Sequence, residues 1–86
     1  MEVQNLQEKR AKIRERLNRI FQEVFDDESI DIFDEMTAVD IEEWDSLMHI
    51  TLIVAAEKEF NVRLNAAEVG NLENVGSFLA LLMDRT

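Results

Sequence analysis

The 86-residue chain sets 9 Lys and Arg against 19 Asp and Glu, a net charge of −10 that opposes contact with phosphate backbones and argues against nucleic-acid binding. Hydrophobic residues make up 47%, enough for one core, but a chain this short buries only roughly 60–65% of its unfolded surface and has little room for a deep enzyme pocket. The absence of Cys removes disulfides, thiolate metal sites and a cysteine nucleophile, no apolar run approaches the ~20 residues of a bilayer span, and the opening residues lack the apolar segment of a secretory signal. The expectation is one domain over residues 1–86, soluble and cytoplasmic, with no membrane span.

Charge falls in three blocks. Residues 1–20 carry 6 basic and 3 acidic groups, residues 21–45 carry 11 acidic and no basic ones, and residues 46–86 carry 5 acidic and 3 basic. Pro is absent and the only glycines are Gly70 and Gly76, so neither a linker nor a tight hairpin is marked and strands are not expected. Val3, Leu6, Ile13, Leu17, Ile20, Phe21, Val24 and Phe25 recur at three- and four-residue steps and predict a first helix about 30 Å long. Lys9, Arg10, Lys12, Arg14, Arg16 and Arg19 fill its remaining surface, which reads as a solvated face with acidic neighbours.

From residue 26 to 45 the period is lost. Asp26, Asp27, Glu28, Asp31, Asp34, Glu35, Asp40, Glu42, Glu43 and Asp45 cluster around the apolar anchors Ile30, Ile32, Phe33, Met36, Val39, Ile41 and Trp44. A loop of this length with that many anchors is predicted to lie against the core. A second helix should start at Asp45-Ser46, both good N-cap types, and run to Phe60. Leu52, Ala56 and Phe60 form one stripe on it, while Leu47, Ile50 and Val54 form another that the same core cannot fully cover. Ala66 to Val69 makes about one turn, with Gly70 suited to a left-handed cap, and Asn74 caps a last helix whose core face is Val75, Phe78, Leu79 and Leu82.

Most catalytic constellations are absent: there is one His, no Cys, no Tyr, no glycine-rich phosphate loop and no His pair at metal spacing. Ser46 and His49 share a helix face, but a hydrolase also needs an orienting group and an oxyanion hole, and His49 reads better as a partly exposed first-turn residue. The stretch Asp26 to Asp31 places Asp31 where a calcium loop of the EF-hand type needs Gly, so no metal site is assigned. Trp44 reads as a core or hinge anchor.

What remains is Asp45-Ser46-Leu47, at the junction of the acidic loop and the two-faced helix. Capping alone explains Asp-Ser at a helix start. However, Trp44-Asp45-Ser46-Leu47-Met48-His49-Ile50 continues into Leu52-Ile53 and then Ala56-Glu57-Lys58-Glu59-Phe60-Asn61-Val62, and here the sequence closely resembles the acyl carrier protein family. The likeness runs on through Leu64, Leu72 and Val75 to Leu79, about half the chain, and the first helix and acidic loop match in pattern only. It implies an all-α four-helix bundle, three main helices plus a short third, with a long acidic loop between helices one and two.

The resemblance further implies that Ser46, flanked by Asp45 and Leu47, receives the phosphopantetheine arm of coenzyme A from a separate phosphopantetheinyl transferase that uses Mg²⁺. The chain itself would catalyse nothing. Acyl groups would travel as thioesters on the arm to enzymes of a fatty-acid, polyketide or other dedicated acyl pathway. Leu47, Met48, Ile50, Val54 and Glu57 match docking positions for partners with basic surfaces. Several positions depart from carriers of fatty acid synthesis: Met48, Thr51, Lys58, Ala66 and Gly70 stand where acids are common, and Glu43-Trp44 replaces a Gly-containing approach. These departures look like a specialised carrier with more apolar contact and less charge on helix two. A peptidyl or aminoacyl carrier, which uses the same serine and arm, and an unmodified helical adaptor both stay open. A monomer is expected. Phe60, Leu64, Leu72 and Leu79 are candidates to line a space for an acyl chain.

Overall fold

The computed structural model describes residues 2–41 and 43–86; the side chains of residues 2–5 lie outside that description, and with them Val3, as does Glu42 of the acidic stretch. Among the described residues the helices are α1 (Glu2–Val24), α2 (Ser46–Phe60), α3 (Ala66–Gly70) and α4 (Val75–Arg85), with no strand. This is the all-α bundle with a short third helix that the resemblance implied. At a ~1.5 Å rise, the 23 residues of α1 span about 34 Å and account for most of the 40 Å long axis.

The core is made by the faces that three- and four-residue spacing marks. Ile13, Leu17, Ile20, Phe21 and Phe25 from α1 and its end meet Leu52, Ile53, Ala56 and Phe60 of α2 and Val75, Phe78, Leu79 and Leu82 of α4. Burial of each large apolar side chain contributes roughly 1.5–3 kcal/mol, and no polar side chain is buried among them. Leu6, expected on this face, is exposed. The end of α4 lies beside Lys9, whose ammonium donates to the Met83 carbonyl at 3.3 Å, and Leu6 is about one turn further toward the start of α1.

The segment between α1 and α2 lies against the core through Ile32, Met36 and Ile41, with Ile30 and Trp44 half-buried. Phe33 and Val39, expected as anchors, point to solvent, Val39 at 92% exposure. Val39 sits on a polar turn in which the Asp40 amide donates to the Thr37 carbonyl at 3.0 Å and the Thr37 amide to Asp40 Oδ2 at 2.9 Å, and the turn holds it outward. The amides of Val75 and Gly76 donate to the carbonyls of Met36 and Asp34 at 2.9 and 2.8 Å, joining the loop to the start of α4.

The basic face of α1 is the expected solvated one with acidic neighbours, Lys12, Arg16 and Arg19 being exposed, and part of it also ties down the following loop. Arg10 pairs with Asp34 at 2.7 Å, Arg14 donates to the Ile32 carbonyl, and Asn18 Oδ1 accepts the Ile32 amide at 2.8 Å. Arg16 pairs with Glu59 at 2.8 Å and lies 4.4 Å from the centre of the Phe60 ring.

Helix ends follow a rule that a search for glycine does not find. Asp26 (φ 50°) and Asn61 (φ 52°) adopt the left-handed conformation after α1 and α2, and the following amides, Asp27 and Val62, reach back to the carbonyls of Gln22 and Glu57 at 2.9 and 3.1 Å. This is the Schellman arrangement, closed by Asp and Asn, the residues other than Gly that visit that region most readily. Gly70, expected as a left-handed cap, is the last residue of α3 with no positive φ. Instead Asn71 follows the helix, and α3 owes its start to a reciprocal capping box between Asn65 and Glu68.

Candidate functional site at the start of the second helix

Two residues compete for the cap of α2, and Asp45 takes it. Its backbone is extended and its Oδ1 accepts the Met48 amide at 2.9 Å, which satisfies one of the donors that every helix start leaves unpaired. Ser46 is therefore the first helical residue, exposed, and its hydroxyl makes no hydrogen bond among the described residues. The Leu47 amide is also without an acceptor among the described residues, so a free hydroxyl sits at the positive end of a helix that has a donor to spare.

Trp44 fixes the approach to this serine. Its indole ring packs edge-on to Phe21 at 5.3 Å and tilted to Phe25 at 6.2 Å, anchoring the end of the acidic segment in the core. Its Nε1–H donates to His49 Nδ1 at 3.3 Å and the two rings stack at 6.1 Å. With Nδ1 accepting, the neutral imidazole carries its proton on Nε2. Nδ1 is thus engaged by Trp44, and no hydrogen bond joins His49 to Ser46, so the base-activated nucleophile considered from their spacing does not form here. Sequence reasoning missed the Trp44–His49 pair, because five-residue spacing across a helix start is neither a helical nor a strand signal.

Beside Ser46 lies a depression of about 510 Å³. It is lined by Trp44, His49 and Ile50 and by Leu72, Asn74 and Phe78, from the α3–α4 connection and α4. Of the residues expected to line a space for an acyl chain, Leu72 is here, while Phe60 and Leu79 are buried in the core and Leu64 is half-buried elsewhere.

On the outward face of α2 the second stripe is present as expected: Leu47 is 70% exposed, Ile50 58% and Val54 43%. Met48 is half-buried against the core, and Thr51 turns its hydroxyl back to the Leu47 carbonyl at 3.0 Å. Glu57 is half-buried, with Oε2 accepting the Leu64 amide at 2.9 Å. Exposed acids, Asp40, Glu43 and Asp45, precede the serine.

No protein-family model and no curated protein sequence matches the chain. Solved structures do. A holo acyl carrier protein from Geobacter metallireducens, determined by solution NMR, is similar at TM-score 0.79 and 39% sequence identity, over 83% of this chain and 82% of that one. A Mycobacterium tuberculosis protein assigned as an acyl carrier protein is similar at TM-score 0.71 and 25% identity, over 79% of this chain and 90% of that one.

Proposed function

The chain belongs to the acyl carrier protein family, and from that premise we propose that Ser46 is the attachment point of a phosphopantetheine arm on which acyl groups are carried. As in that family at large, the protein is a carrier and not an enzyme. The observation that carries the assignment to Ser46 is the division of labour at the helix start: Asp45 closes the cap, which leaves the serine hydroxyl exposed and unengaged.

The local chemistry fits such a group. A phosphodiester on Ser46 would meet the unpaired amide and positive end of α2, whereas Asp40, Glu43 and Asp45 would repel a phosphate free to leave. A covalent bond holds the anion where reversible binding would not. In the loading reaction Ser46 Oγ is the nucleophile: it forms the new P–O bond to the phosphorus bearing the pantetheine arm, the phosphoanhydride bond of coenzyme A breaks with release of adenosine 3′,5′-bisphosphate, and the hydroxyl proton passes to the transferase, which also supplies the Mg²⁺ site. The arm brings a terminal thiol, so a chain without Cys can carry thioesters. Afterwards the work of the chain is positional. Trp44 and His49 hold the approach to Ser46 rigid, Leu47, Ile50 and Val54 present an apolar docking row, with Met48 and Glu57 at its edges, and tethering raises the effective concentration of cargo at each docked enzyme.

Met48, Thr51 and Lys58 on α2, with Glu43-Trp44 before it, favour a dedicated acyl pathway over general fatty-acid elongation. Partner enzymes that meet the acidic Ser46 end present Lys and Arg there, and their attraction weakens as salt shortens the screening length to ~8 Å or less. The carrier acts as a monomer in the cytoplasm, and among the described residues no helix is long and apolar enough to cross a membrane.

Incubation with coenzyme A, Mg²⁺ and a broad-specificity transferase, read by intact mass, tests the assignment. The wild-type chain should gain one phosphopantetheine and Ser46→Ala none. Because Asp45 holds the cap, Ser46→Ala should leave the thermal midpoint nearly unchanged, whereas Asp45→Ala should cost about 1 kcal/mol. A folded wild-type chain that gains no mass would identify an unmodified adaptor instead.

A further inference from the structure

The α2 helix is about 22 Å long, and its two ends differ in charge. At the far end from Ser46 is a depression of about 470 Å³ lined by Val54, Glu57, Lys58, Asn61, Val62 and Arg63. In sequence the Glu57-Lys58-Glu59 run neutralises its own lysine. In the structure neither acid pairs with it: Glu59 crosses to Arg16 at 2.8 Å, and Glu57 Oε2 turns to the Leu64 amide at 2.9 Å, so the depression sets two cations against the single carboxylate of Glu57. The Glu57 carbonyl also receives the Asn61 and Val62 amides, so that residue is built into the turn that ends the helix. Lys58 and Arg63 are exposed, and neither side chain has an ion-pair partner among the described residues.

We propose that this depression is the far anchor of the docking face and receives a carboxylate side chain of the partner enzyme. The inference rests on the carrier reading above and specifies the partner more narrowly. The surface that fits α2 is an apolar groove for Leu47, Ile50 and Val54, with Lys or Arg at the end facing Asp40, Glu43 and Asp45 and with Asp or Glu at the end facing Lys58 and Arg63. A partner basic along its whole rim meets attraction at Ser46 and repulsion about 20 Å away. The two charges thus select against such enzymes as well as for the matched one.

The probe is a transferase of known structure with a uniformly basic carrier-binding rim, and the readout is kcat/KM for arm transfer at low and high salt. Reversing both cations, Lys58→Glu with Arg63→Glu, should raise kcat/KM about 3–10-fold at low salt and much less at high salt, with the Lys58→Gln, Arg63→Gln pair falling between. In a transferase whose rim cation facing this end is changed to Glu, the order should invert, with the wild-type carrier loaded faster than the reversed one. Both substitution sites are exposed, and the helical circular dichroism signal should be unchanged. Equal loading of the wild-type and reversed carriers by both transferases would overturn the anchor while leaving the arm on Ser46 intact. Failure of every form to acquire an arm would instead remove the carrier reading, and this inference with it.

Discussion

On one side of the molecule a few polar contacts tie a loop to a helix, and on the other an apolar row faces solvent. The segment between α1 and α2 is tied by Arg10 to Asp34, by Arg14 and Asn18 to the backbone of Ile32, and by Gln22 to the carbonyls of Glu28 and Ile30 at 3.2 and 3.0 Å. The outward face of α2 offers Leu47, Ile50 and Val54 to solvent with no side-chain partner among the core residues. Polar contacts therefore serve architecture in the first region, and the exposed apolar area in the second is the face proposed above for docking. Single exposed hydrophobics are unremarkable, but a row at helical spacing leading from the proposed attachment serine is what the proposed docking requires.

The largest expected effect separates buried from presented apolar residues. Phe21 is fully buried and touches both Phe25 and Trp44, so Phe21→Ala should cost roughly 3–5 kcal/mol and also loosen the approach to Ser46. Leu47→Ala removes a side chain of similar hydrophobicity from solvent and should move stability by less than about 0.5 kcal/mol, while slowing arm transfer. Urea midpoints measured beside loading rates would show the contrast, and equal destabilisation by the two substitutions would erase the distinction between the regions.

A smaller effect distinguishes the two glycines. A Cβ built on Gly76 would lie 3.1 Å from the Asp34 carbonyl oxygen, which already accepts the Gly76 amide at 2.8 Å, so this is where the loop and α4 approach too closely for a side chain. Gly76→Val should cost roughly 1–3 kcal/mol by forcing that junction apart. Nothing lies within 4 Å of a Cβ at Gly70, and its φ is not positive, so Gly70→Ala should be neutral or stabilising by up to about 1 kcal/mol. Thermal denaturation of both variants checks the pair. A loss at Gly70 as large as that at Gly76 would restore the left-handed cap that sequence favoured there.

That contrast also shows what sequence carries. Most of the core faces of α1, α2 and α4, the Asn74 cap and the start of α2 at Asp45-Ser46 were legible because periodicity and capping are local properties, written within one helix turn, although only the structure decides that Asp45 is the cap. The proposed role of Ser46 comes from resemblance alone, since a cap and an attachment site use the same dipeptide. What stayed hidden depends on contacts between distant segments: the ties from part of the basic face to the following loop, the exposure of Leu6, the Trp44–His49 pair, and the turning of Glu57 and Glu59 to partners other than Lys58. Gly70 and Gly76 look alike in the chain, and only the position of Asp34 tells them apart.

The smallest effect lies in the tied region and is read with pH. Asp27 Oδ1 accepts the Ser29 hydroxyl at 2.6 Å and the Ser29 amide at 3.0 Å, in the turn just after α1. The hydroxyl, and then the amide, favour the ionised carboxylate and hold Asp27 below its ordinary range. A carboxylate whose folded pKa is depressed contributes stability that is present above its unfolded pKa and lost as pH falls through the folded value. The contribution of the turn should therefore be complete at neutral pH and fade below about pH 4. Asp27→Asn removes the charge without removing the acceptor, so the variant should be slightly less stable than wild type at pH 7 and should converge on it in acid. Urea midpoints across that range test the sign, and a gap that stays constant or widens on acidification would mean that ionisation plays no part in holding the turn. Since Asp27 is exposed, the gap should be the smallest of those described, as befits a contact that fixes local shape where the Arg10 and Arg14 clamps fix the segment as a whole.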